Sequence, residues 1–496
     1  MTAMLRSVGN KVFSNYPAVL AQLAVALLVI LACANGIVAL LAAVVLAAVI
    51  TAAFAPRTFV LISALAMLFV RTLQHRVPIS GVEYLDEFCV LVAVVVLPAT
   101  AVVQKRELVR VPGARWFVLF FALGIASAVV HDVPFDVLLD GVFLASKGFL
   151  FGWAVAQVEW RVPHLAKLAR LGAAIAVFLL SCAAINLIAP GFWNTAVLGI
   201  SGFGRRFGLP PITGPFVHPG YFGTTMVLIA VSVAAYRLLI ARNKASALLL
   251  AFTVGCAILT FRRKVLAGFI AAYAYVRSKG GFSSTAVMIF WSVPALLVGG
   301  GMIAQTISYT YTEYFANPNA VARIRLYLDS INLGAEYFPF GAGFGRFGSA
   351  AARAHYSPEY YDLGYPSVWG LGPTEETGKF LTDTFWPAVL GEAGILGLLA
   401  YLSALWCVFR VMNKAFKAAY PPHVRWIALV AAAWTVELLI ESIAGAVFTA
   451  APTYGLFFGI VGIAASAITS AEKNNERKTE NLTEVTQTSE VQHEFR

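Results

Sequence analysis

The sequence predicts an all-α integral membrane protein of about fourteen transmembrane helices (range roughly 12–14) with one large outer loop. Three observations carry this. The chain has 496 residues, of which 59% are hydrophobic and 12% charged, against roughly half and a quarter in soluble domains. Apolar runs long enough to cross a bilayer recur from the first residues to about 470. Basic clusters fall in alternate connections between those runs, the pattern of cytoplasmic loops. The net charge of +11 is therefore read as membrane flanking and not as a nucleic-acid surface.

In chain order, MTAMLRSVGNKVFSNYP precedes some forty apolar residues, too many for a cleaved signal. They make two spans hinged near Asn35-Gly36. Further spans are expected near 57–71, 86–103, 115–131, 135–158, 166–189, 220–239, 244–261, 264–277 and 284–306. The last three lie near 385–410, 425–448 and 452–470. Residues 57–71 and 264–277 are short with basic ends. The chain thus divides into a bundle over 1–306, a large periplasmic loop over 307–383, a second bundle segment over 384–471 and a disordered cytoplasmic tail over 472–496.

Clusters such as Lys105/Arg106/Arg110/Arg115 and Arg410/Lys414/Lys417 place both termini in the cytoplasm. The five cysteines sit in apolar runs without CxxC or Cys/His spacing, so neither disulfide framework nor zinc site is indicated.

Against that pattern, arginines also gather on the outer side. Arg205 and Arg206 stand in GFGRRFGLPPITGPFVHPGYF, residues 202–222; Arg262, Arg263 and Lys264 end another span; Arg323, Arg325 and Arg346 lie in the large loop. Lipid headgroups or acids in the same loops are one reason for them. An anionic ligand is the other, favoured by three separate arginine sites, since a guanidinium stays charged and its fork suits phosphate oxygens. The loop is rich in aromatic, Gly and Pro residues, which argues for order. Tyr309, Tyr311, Tyr337, Tyr356, Tyr360, Tyr361, Tyr365 and Trp369 are either sugar-stacking platforms or the loop's own core. The run GAGFGRFG has no Lys-Ser/Thr after it, so it reads as a tight turn against the bundle and not as a nucleotide loop.

Together these motifs resemble the O-antigen ligase and polymerase superfamily. The matching elements are Arg206/Gly208/His218 opening a span, Thr260/Arg263 ending one, Pro339/Gly341/Gly343 in the loop, and Glu392/Gly394/Gly397 in the next span. The resemblance covers about residues 200–400. It implies a glycosyltransferase of the inner membrane that uses a polyprenyl-diphosphate-linked oligosaccharide, with no metal or cofactor. It also implies a chain-length regulator as partner. Ligases carry a histidine ahead of the Glu-x-Gly element; here Thr382-Asp383-Thr384 stands there, and His355 does not fit the spacing. That favours polymerisation of O-antigen, capsule or exopolysaccharide over ligation.

Arg206 and Arg263 are expected to stabilise the leaving diphosphate, with Arg205, Arg262 and Arg346 behind them. Arg323 and Arg325 would clamp the loop or touch phosphate. Asp383 is the first candidate to accept the acceptor's proton and His218 the second. Asp383 reads equally as a helix cap, His218 as a helix start, and Glu392 as an arginine partner. Lys147 with Asp136 and Asp140, and Glu437 with Glu441, place charge inside spans, which keeps a flippase or ion-coupled exporter as the alternative.

Overall fold

The computed structural model describes residues 36–77, 79, 81–206, 208–281 and 322–494. Among them every regular element is helical and there is no β-strand. The long helices are α1 (Gly36–Phe54), α2 (Pro56–Arg76), α3 (Leu85–Val103), α4 (Ala114–Val130), α5 (Phe135–Ala156), α6 (Val162–Ile188) and α7 (Pro219–Leu239). They continue with α8 (Lys244–Leu259), α9 (Arg263–Ser278), α10 (Ala322–Glu336), α11 (Trp386–Lys417), α12 (Pro422–Glu441) and α13 (Thr453–Glu494). Eight helices in the described residues are long and apolar enough to cross a membrane, consistent with a multi-pass membrane protein. The spans expected before residue 36 and at 284–306, with Tyr309 and Tyr311, lie outside the described residues.

Two expectations from composition differ from what is seen. The short run at 57–71 belongs to a full 21-residue helix, because the chain stays helical beyond it to a polar last turn with His75 and Arg76. The expected disordered tail continues α13 as helix through Glu494. It contains no Gly or Pro, and extending an existing helix needs no new nucleus.

Helix α12 is the centre of the bundle. Its Ala431, Ala432 and Ala433 have no exposed surface, and such small side chains let neighbouring backbones approach. The indole Trp434 Nε1 donates to Leu228 O of α7 at 3.0 Å, and Trp426 Nε1 donates to Ser232 O at 3.1 Å. Gly148 and Gly152 of α5 make a second close crossing with α13; a Cβ at Gly152 would stand 2.6 Å from Phe458 O. Lys147, buried between α3 and α13, pairs with Asp86 at 3.0 Å and Glu87 at 2.5 Å. Tyr454 Oη donates to Asp86 Oδ2 at 2.8 Å. These partners come from α3, some sixty residues earlier, which packs on that face of α5, and not from Asp136 or Asp140 of the same helix. Outward side chains such as Val95, Ile188 and Trp406 are apolar and exposed, a surface suited to lipid.

The loop between α10 and α11 has its own core of Leu326, Leu333, Phe347, Tyr356, Tyr360, Tyr365, Leu371 and Leu381. Tyr356, Tyr360 and Tyr365 thus form core, whereas Tyr361 and Trp369 are exposed. The loop then dips into the bundle at residues 339–348. Helix α11 breaks at Gly394, where φ is 66° and ψ −169°. Around the break, Ala342 N donates to Gly391 O at 2.7 Å and Gly343 N to Glu392 O at 2.9 Å. Ser127 Oγ of α4 donates to Gly341 O at 2.6 Å, and Phe344 is wholly buried against Phe120.

Gly343 has φ +95°, and a Cβ there would meet Ala128 Cα at 2.6 Å. Gly343→Ala is expected to lose about 2–4 kcal/mol from left-handed strain and overpacking together. Gly172, inside α6 with nothing within 4 Å, serves as control: Gly172→Ala should cost no stability and gain up to about 1 kcal/mol from helix propensity. Thermal unfolding of the purified variants in lipid nanodiscs measures both, and equal midpoints would refute this packing.

Candidate active site at the rim of the bundle

The stretch at 202–218 is fixed before it reaches the bundle. Asn186, buried in α6, accepts from Thr213 N at 2.8 Å and Gly214 N at 3.3 Å. Trp193 Nε1 donates to Gly214 O at 2.6 Å, and Thr72 Oγ1 donates to Pro215 O at 2.9 Å. Ile212 N donates to Leu259 O at 3.1 Å, joining the stretch to the end of α8. Arg206 and Leu209 exchange backbone hydrogen bonds in a tight turn. Each bond removes freedom from the segment that carries Arg206 and His218.

At this end of the bundle, residues far apart in sequence converge. Arg206 Nη1 donates to Phe261 O at 3.0 Å. Arg262 Nη2 lies 3.1 Å from His218 Nε2, and its Cζ stands 6.0 Å from the ring centre of Phe203. Arg323 of α10 forms an ion pair with Asp383. Burial first, then the nearby Arg206, lower the pKa of Arg262 below the usual arginine value, and Asp383 opposes this. Arg206, Arg262 and Asp383 therefore act on one another. Lys264 Nζ donates to Ala444 O at 2.8 Å and lies 3.8 Å from Glu441. Tyr327 Oη donates to Ile443 O at 2.9 Å; burial pushes its pKa up to about 12. Arg205 is exposed beside Arg206, and Arg263 is the half-buried first residue of α9.

His218 caps α7: its Nδ1 accepts from Gly220 N at 3.0 Å. Its other ring nitrogen faces the guanidinium of Arg262. A protonated imidazole would turn N–H groups toward donors on both sides. Burial, Arg262 and Lys264 push its pKa down to about 3. The ring is a helix cap and a neutral neighbour of Arg262, which makes it a poor proton acceptor. Asp383 is not a cap: α11 starts with Phe385 at its N-cap and no side-chain cap bond. The carboxylate instead faces Arg323 at the rim, half-buried.

Three of the expected residues lie elsewhere. Arg325 binds Asp329 at 2.8 Å and Leu363 O at 3.0 Å inside the loop. Arg346 lies 3.6 Å from Glu359. Glu392 has no arginine partner; its Oε1 accepts from Gly345 N at 2.9 Å, Phe347 N at 3.3 Å and Ser349 Oγ at 2.5 Å. It pins the glycine-rich loop. Sequence reasoning gave no role to Tyr327, Thr224 or Lys264. Lys264 stands in the same basic triplet as Arg262 and Arg263, which was its available signal. Tyr327 had none, since it shares no motif with the residues it meets.

Cations outnumber acids at the rim, and the arrangement suits an anion with oxygens at more than one position. Among the described residues no three His, Cys, Asp or Glu side chains gather as a metal set. Compared with family models and with curated proteins, the chain has no match in either.

The lowered pKa of His218 sets a pH dependence. The unfolded imidazole binds a proton near 6.5, and the folded one only near 3. The unfolded state therefore holds more protons between these values, so stability rises with pH there. The contribution is complete above 6.5 and lost as pH falls toward 3. Unfolding midpoints measured downward from neutral pH should fall, and His218→Gln should flatten the fall. An identical slope in the variant would contradict the assignment.

Proposed function

We propose that this chain is a membrane glycosyltransferase. It transfers a glycan from a polyprenyl-diphosphate donor to the sugar end of another lipid-linked repeat unit, lengthening a surface or secreted polysaccharide at the periplasmic face of the inner membrane. One observation carries the reading: Arg206, Arg262, Arg323, Asp383 and His218, drawn from separate parts of the sequence, meet at one end of an apolar bundle.

In this reading the donor's lipid lies along the apolar exterior and its diphosphate meets the arginines. As the bond from the anomeric carbon to the diphosphate breaks, negative charge grows on the leaving oxygen. Fixed cations in a partly dehydrated rim stabilise that charge without reorganising. Arg206 and Arg262, with Arg205 and Arg263 adjoining, serve this role. Asp383 accepts the acceptor hydroxyl's proton, and Arg323 positions it. The exposed Tyr361 and Trp369 offer faces on which sugars stack. Ligation of finished polymer uses the same donor chemistry and is the nearest alternative. The buried Lys147 cluster favours a second reading, ion-coupled transport of the lipid-linked glycan, since charge held inside spans marks ion pathways.

Glycan profiles of cells lacking the chain separate these readings. Polymerisation predicts single repeat units in place of long polymer. Arg206→Ala, Arg262→Ala and Asp383→Ala, at normal abundance, should each reduce polymer formation about 100- to 1000-fold. Long polymer left on its lipid carrier would indicate ligation. Fully active arginine variants, or repeat units held on the cytoplasmic leaflet, would refute the enzyme and favour transport.

A further inference from the structure

Below the rim, α12 carries Glu437 and Glu441 one turn apart, both with no exposed surface. The two oxygens of Glu441 lie 2.9 and 2.8 Å from Thr224 Oγ1 of α7. Lys264 of α9 stands 3.8 Å away. Glu437 differs. Among the described residues neither of its buried carboxyl oxygens has a hydrogen-bond partner, and the carboxyl group of Glu441 stands one turn along the same helix. Gly268 of α9 closes the other side, where a Cβ would stand 3.2 Å from Glu437 Oε1. Glu441 and Lys264 are the charged groups acting on Glu437.

Two ionised carboxylates cannot bond to each other, because both only accept. A fully buried pair of like charges is costly, and a single lysine balances one of them. Both problems are removed if one proton lies between the two groups, as in other carboxyl dyads. We infer that Glu437 and Glu441 form a buried proton-binding dyad that holds one proton, with Lys264 linking it to the rim. Lys264 is suited to the link, since its side chain is 30% exposed and touches both Ala444 O and Glu441. The dyad stands on the packing of α7, α9 and α12. The glycosyl-transfer reading adds only a use for it, as a second proton-holding site beside Asp383.

Infrared spectra of the full chain in lipid nanodiscs test this without any activity. At neutral pH the wild type should show a protonated-carboxyl C=O component that moves on exchange into D2O. Glu437→Gln should lose that component, and Asp383→Asn should keep it. Lys264→Met should keep it as well, and an unfolding midpoint of Glu437→Gln near the wild-type value guards against loss by misfolding. Absence of the component in the wild type, or its persistence in Glu437→Gln, would overturn the dyad. Loss of the component on adding sodium at fixed pH would also overturn it, making the pair a sodium site.

Discussion

The carboxylate of Glu392 accepts three hydrogen bonds from the loop at 345–349, while the carbonyls at 391 and 392 accept two more from residues 342 and 343. This interaction holds the large loop against the bundle. It depends on a helix that breaks: an unbroken α11 would spend those carbonyls on its own ladder, and Gly394 frees them. A hydrogen bond of this kind is worth about 0.5–1.5 kcal/mol net, and breaking it costs more where one partner would be left buried. Helix α10 and Asp383 border the same loop, so the positions of Arg323 and Asp383 follow from this contact.

The rim has the opposite character. Arg206 and Arg262 repel each other, and the field of the pair is relieved only partly by Asp383. Proteins hold like charges together where an anion rewards the arrangement, and the strain is then available for binding and catalysis. Neutral His218 fits this logic, since it fills space beside Arg262 without adding a further positive charge. The apolar bundle supplies low dielectric beneath, which strengthens every charge interaction at its mouth.

Much of the helical architecture was legible because a bilayer imposes length and polarity on each span. The runs at 86–103, 135–158 and 220–239 match α3, α5 and α7 within a few residues. Arg206, Arg262, His218 and Asp383, which the charge pattern expects on one side, stand at one end of the bundle. Pairings were not legible. Lys147 meets Asp86 and Glu87 because of helix packing, which local spacing does not encode. Glu392 serves backbone donors of a loop some forty-five residues earlier, a role that residue type alone cannot show. The loop's tyrosines divided between core and surface by contacts that only the folded loop defines.

In the proposed function the rim binds a lipid-borne diphosphate through its arginines. Binding of a polyprenyl diphosphate and of the matching uncharged polyprenol to the purified chain in nanodiscs measures it most directly. The account predicts at least about tenfold tighter binding of the diphosphate, a preference that weakens with salt and vanishes in the Arg206→Ala/Arg262→Ala double variant. Equal affinity for the two lipids, or an unchanged preference in the double variant, would contradict it.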